Sequence, residues 1–214
     1  MAITRLGPNN STNISGINLT SQVTGLLPLA NGGTAATSVP QDYVKLHSTT
    51  MSTGAANVDL NGYFSSTYNA YEVVGMNVKG TDNNEYLSMR AITSGGAQAS
   101  SMSSILPGWY VTSGGTGTEV NYSKGGNRFY LYKMAPHQSS MFRLLITFPL
   151  KTDEHKCYIC HSGGEDYISG ADNQSLRISS GRYEADTALT GLRFLTGNDS
   201  NLTTGTFTMY GIKN

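Results

Sequence analysis

The chain has 214 residues, with 14 basic against 14 acidic side chains, zero net charge and only 13% charged residues, about half the usual quarter of a globular protein. It carries no basic run, so it lacks the electrostatic footprint of a nucleic-acid or anionic-membrane partner, and no window reaches the roughly 18 apolar residues of a membrane span. Glycine at 25 residues and tyrosine at 13, with much Ser, Thr and Asn, predict an all-β chain of short strands and many turns.

Residues 1–42 stand apart, because Arg5 and Asp42 are their only ionisable side chains. Turn clusters (GPNNSTN, SGIN, ANGG) alternate there with Ile14, Ile17, Leu19, Val23, Leu26, Leu27 and Leu29. The apolar runs are too broken for a helix and too short for an independent sheet. Within GLLPLANGGTAATS (25–38), Pro28 removes a backbone donor and Gly32-Gly33 is a flexible turn. A few apolar side chains do not offset an ordering entropy of roughly 1 to 2 kcal/mol per residue. The segment is therefore predicted to be an extended arm buried by other chains, with Leu26, Leu27, Leu29, Asn31, Gly32 and Gly33 as assembly residues. No basic region followed by an apolar core opens the chain, so export by its own signal is not expected.

From Tyr43 onward the pattern is strands. YVKLHSTT opens the domain; YNAYEVVGMNV (68–78) and NEYLSMRAIT (84–93) follow, joined by KGTDN, which reads as a hairpin turn. After a Gly/Ser-rich stretch (94–104) come GWYVTS, RFYLYK (128–133), MFRLLITFPL (141–150), HKCYICH (155–161), LRIS (176–179), TGLRFLT (190–196) and TGTFTMYGIK (204–213). Loops are expected at ILPGWYVTSGG (105–115) and NYSKGGNRFYLYK (121–133). Such spacing predicts one antiparallel β-sandwich, jelly-roll-like, over residues 43–214. Alternation assigns its core to Val74, Met76, Leu87, Met89, Leu144, Ile146, Phe148, Phe194 and Phe207.

LLPLANGGTAATS resembles the G-x-LP-x-ANGGTG-x-T element of tailed-bacteriophage fibre proteins, with Ala35 at the usual second-turn glycine. The ending SGRYEADTALTGLRFLTGNDSNLTTGTFTMYGIKN resembles the carboxy-terminal strand pair of phage structural proteins that finish in I-x-SGTF-x-LYGIK. FSSTYNAYEVVGMNV is similar to the F-x-S-x-Y-x-x-Y-x-I-x-G strand near the start of those domains. The resemblance covers both ends and part of the middle. It implies a bacteriophage virion structural protein, homotrimeric, acting as a tail fibre or adhesin in viral attachment. The alternative is a head-fibre or capsid-decoration protein, and a third reading is a polysaccharide-depolymerising spike. The implied partners are its own copies, other virion proteins through the arm, and a host-surface glycan or protein. The implied location is the virion surface, on tail or head, after assembly in the host cytoplasm.

Candidate chemistry is sparse. His155, Cys157, Cys160 and His161 offer the ligand types of zinc. An extended run, however, puts His155, Cys157 and His161 on one face and Cys160 on the other, so no metal site is expected. The acidic pairs Asp153-Glu154, Glu165-Asp166 and Glu184-Asp186 read as solvated loop charge rather than the two opposed carboxylates of a glycosidase. There is no nucleophile elbow or phosphate loop, so the chain is read as a non-enzyme without cofactor. Surface recognition falls to Trp109, Tyr110, Tyr122, Arg128, Tyr130 and Tyr132, aromatics set among Asn, Ser and Gly as in saccharide and protein paratopes. The competing reading places Trp109 in the core, along with alternate residues such as Phe129 and Leu131.

Overall fold

The computed structural model describes residues 42–213 apart from residues 84, 113, 114, 135, 137, 138, 169 and 170. The chain divides into Met1–Gln41 and Asp42–Asn214, and the fold described here belongs to the second unit. The assembly residues Leu26, Leu27, Leu29, Asn31, Gly32 and Gly33 lie outside the described residues.

Among the described residues the structure is all-β, with thirteen strands: β1 (Tyr43–Met51), β2 (Asn57–Asn61), β3 (Ala70–Gly80), β4 (Glu85–Thr93), β5 (Gly96–Ala97), β6 (Met102–Thr112), β7 (Gly115–Gly126), β8 (Phe129–Met134), β9 (Ser140–Thr147), β10 (Lys156–Ile168), β11 (Ala171–Tyr183), β12 (Gly191–Thr196) and β13 (Leu202–Ile212). The large sheet has eight strands in the order β1-β13-β3-β9-β10-β11-β6-β7, and the small sheet runs β2-β12-β4-β5, with β8 also on β4. All pairings are antiparallel. Four of them nest inside one another along the chain: β1 with β13, β2 with β12, β3 with β9, and β4 with β8. Two hairpins stand outside the nest. β6–β7 is inserted between β4 and β8, and β10–β11 between β9 and β12; both lengthen the large sheet beyond β9.

The two sheets share one hydrophobic core. Phe142 of β9 packs on Phe194 of β12 with ring centroids 5.6 Å apart, Phe194 meets Phe207 of β13 at 5.2 Å, and Phe129 of β8 meets Tyr158 of β10 at 5.5 Å. Leu87, Met89, Leu144, Ile146, Phe194 and Phe207 are buried as alternation predicts. Val74 and Met76 are not core residues. In β3 the inward positions are Tyr71, Val73 and Gly75, so Val74 is only half-buried and Met76 is exposed. Gly75 is obligatory there, because a Cβ would run into the ring of Phe142. Asn77 then takes a positive φ of 53°, which shifts the alternation and returns Val78 to the core. Phe148 is the third departure. Strand β9 ends at Thr147, Phe148 adopts φ 47°, and the side chain turns outward while Pro149 is buried in its place.

KGTDN is not a hairpin. It carries the chain from β3 in the large sheet to β4 in the small one, so the two strands lie in different sheets instead of side by side. Turn residues mark where a strand stops, and the direction of the exit is set by which faces need covering. The loops expected at ILPGWYVTSGG and NYSKGGNRFYLYK are instead mostly strand, in β6 and in β7 and β8, and β2 is a strand the sequence pattern does not signal. Glycine in β7 serves packing: a Cβ at Gly117 would collide with the ring of Tyr110 on β6.

Candidate functional site

The β6–β7 hairpin carries the most exposed aromatic chemistry of the domain. Antiparallel pairing sets Trp109 against Thr118 and Tyr110 against Gly117, and alternation sends the two aromatics to opposite faces. Trp109 is 49% exposed, which removes it from the core. Tyr110 lies over the space that Gly117 leaves open. Trp109, with Val111, Thr116, Thr118, Gln174 and Leu176 on its face, borders an open groove of about 620 Å³. An indole face, hydroxyls and an amide around a shallow apolar floor suit a sugar ring or a short peptide, whose CH faces stack and whose polar edges need donors and acceptors.

The other predicted recognition residues do not join this groove. Tyr122, on β7, is 82% exposed and pairs with Ile105. Tyr130 is half-buried on β8, edge-on to Tyr86 at 5.2 Å between centroids. Arg128 is a structural residue, only 5% exposed. Its Nη1 donates to the carbonyls of Thr196 (2.8 Å) and Gly197, and its Nη2 reaches Asp199 at 3.3 Å. Tyr132 is 3% exposed; its hydroxyl donates to the Val78 carbonyl at 3.3 Å and accepts from Ser140 at 3.0 Å, and burial pushes the phenol up. Closeness in sequence does not bring these side chains together, because β8 joins the small sheet while β6 and β7 extend the large one.

Beneath the extension lies a polar cluster that sequence reading misses. Glu119 of β7 accepts from Lys133 of β8 at 2.9 Å, from Arg177 of β11 at 3.1 Å, from the Tyr86 hydroxyl of β4 at 3.1 Å and from Asn121 at 3.0 Å. Arg177 is almost fully buried, and Gly108 is the residue that makes room for its guanidinium. Burial alone would raise the Glu119 carboxyl; the hydrogen bonds from Lys133, Asn121 and Arg177 outweigh it and hold the group at about 2. The cluster thus ties both sheets together at the root of the β6–β7 hairpin. Its members are scattered over four strands, so no local motif announces it.

In HKCYICH, strand β10 separates the sulfurs: Cys157 is exposed, Cys160 is buried, and both are free. Burial pushes the Cys160 thiol up. His161 is exposed on the face of Cys157, and His155 precedes the strand. Asp153 and Glu154 sit in solvent, within 4.0 and 3.9 Å of Lys151. Comparison with protein-family models, with characterised proteins and with solved structures finds no match to this chain.

Proposed function

We propose that the chain is a bacteriophage virion structural protein of the fibre or adhesin kind, homotrimeric, in which residues 1–42 anchor the protein to the particle and residues 43–214 present a jelly-roll-like sandwich to the host surface. The nested pairing of β1, β2, β3 and β4 with β13, β12, β9 and β8 supports the jelly roll, since a long antiparallel hairpin rolled into two sheets pairs its strands in this order. The phage-like carboxy-terminal motif falls on β13, between β1 and β3.

The observation that carries the attachment role is the open groove beside Trp109. A hydroxyl-rimmed aromatic groove on the β6–β7 hairpin suits a surface ligand. The test uses the full chain and Trp109→Ala against a panel of bacterial surface polysaccharides and in competition with phage adsorption. Binding by the parent protein, weakened about tenfold or more in the variant, supports the reading. Absence of both binding and competition would refute it. Antibody labelling of virions places the protein on tail or head.

A further inference from the structure

One row of outward-facing positions crosses the large sheet in continuous register. From β7 it runs Thr118, Trp109, Leu176, Gly163, Met141 and Met76. Trp109, Leu176, Met141 and Met76 are exposed large side chains. Gly163, in the middle, has none, and the row dips there into a hollow of about 520 Å³ between Leu176 and Met141. Leu176 also lines the Trp109 groove, so the two depressions lie on either side of one apolar ridge.

Folding does not ask for glycine at position 163. A Cβ there would meet only the Ser175 carbonyl, at 3.7 Å, an ordinary contact, whereas at Gly75, Gly108 and Gly117 it would strike a neighbouring side chain. What the missing side chain supplies is space on the outer face. Polar groups edge that space on both sides. Asn77 and Ser139, hydrogen-bonded at 3.3 Å, flank it toward one end of the strands, and Gln174 and Thr116 continue this rim beside the Trp109 groove. His161 and Arg143, paired across β10 and β9, form the opposite wall. The Arg143 guanidinium is already held by Glu72 at 2.7 Å, so it presents no unmatched charge.

We infer that the groove and the hollow are two subsites of one cleft, whose occupant is a neutral oligosaccharide lying across β6, β11, β10 and β9. The inference rests on the attachment reading and names the class of ligand. From Trp109 to Gly163 is two inter-strand steps, about 10 Å, longer than a single pyranose ring. One sugar therefore cannot fill both depressions, and a chain of them can. An extended peptide gains its affinity by adding to a free sheet edge. Here all four strands are paired on both sides, and their backbone groups are committed to the ladders. An acidic polymer calls for an unmatched cation along its path. Among the described lining residues of either depression the only Arg or Lys is Arg143, which Glu72 neutralises. Apolar ridges for the CH faces of sugar rings, edged by amides and hydroxyls for their OH groups, suit an uncharged saccharide.

The experiment is isothermal titration of the full chain with the neutral members of the bacterial polysaccharide panel, supplied as free monosaccharides and as oligomers long enough to cross the four strands. Acidic members of the panel serve as the comparison. The variants are Gly163→Val, which fills the hollow, Met141→Ala, which removes its far wall, and Trp109→Ala. Far-UV circular dichroism checks that the strands persist; Met141 is 50% exposed, so its truncation keeps the fold even where Gly163→Val does not. The expected result is a neutral oligomer bound by the parent about tenfold or more tighter than its monosaccharide. That gain is lost in Gly163→Val and Met141→Ala with monosaccharide binding unchanged, while Trp109→Ala weakens both forms. Oligomer affinity unchanged in both hollow variants, or no gain with length, overturns the second subsite and leaves the Trp109 reading standing. Preference for the acidic members overturns the neutral class. A parent that binds none of the saccharides overturns the cleft, and if it also fails to compete with phage adsorption the attachment reading falls with it.

Discussion

Glu119 on β7 and Arg177 on β11 are joined at 3.1 Å across the intervening strand β6, beneath the hairpin that carries Trp109. The same carboxylate takes Lys133 from the small sheet at 2.9 Å, so a single side chain fastens the extension to the body of the domain. Replacing Glu119 by Ala removes the acceptor that Lys133, Arg177 and Tyr86 share, with an expected loss of about 1 to 3 kcal/mol. Urea unfolding at neutral pH measures it, and an unchanged midpoint would show that the clasp contributes nothing.

The same group sets an acid limit. Its folded-state pKa of about 2 lies below the ordinary carboxylate value of 4.5, so its contribution is fully present above the unfolded value and is lost as pH falls from there through the folded one. The stability gap between the parent protein and Glu119→Gln is therefore expected to shrink between pH 5 and pH 2, on the order of the interval between those two values. A gap that stayed constant over that range would rule out the ion-pair account.

Gly75 and Phe142 define the tightest place in the core, where the ring occupies the position of the missing Cβ. Gly75→Val forces the ring away from Phe194 and Phe207, its neighbours at 5.6 and 6.0 Å. Overpacking of this kind costs about 1 to 3 kcal/mol or more. Thermal denaturation is expected to show a lower midpoint, by about 2 to 4 °C for each kcal/mol in a domain of this size.

The sequence pattern groups Arg128 with Trp109; experiment should separate them. Arg128→Ala removes the donors that hold the Thr196 and Gly197 carbonyls and is expected to destabilise the fold by about 1 to 3 kcal/mol. Trp109→Ala is expected to leave the unfolding free energy within about 0.5 kcal/mol of the parent while weakening ligand binding. The reverse pattern would place recognition at Arg128.

The two thiols offer a labelling test. Cys157 is exposed and Cys160 buried, and only thiolates react readily. A thiol reagent at mild alkaline pH is expected to modify Cys157 in the native protein and Cys160 only after denaturant is added. Equal rates at the two positions would contradict the alternation of β10.

The amino-acid sequence by itself determined the all-β class and the approximate positions of ten strands. Period-two patterning and turn residues are local, and both survive into the fold in β9, where Phe142, Leu144 and Ile146 all point inward. Tertiary structure alone decided three things: that β3 and β4 part company into different sheets, that Met76 faces out while Gly75 faces Phe142, and that Arg128 and Tyr132 are buried away from Trp109. Alternation tells which residues share a face, and it is silent on which face another layer covers and which strand lies alongside. For that reason Met76 and Phe148, assigned to the core from sequence, stand on the outside of the folded domain.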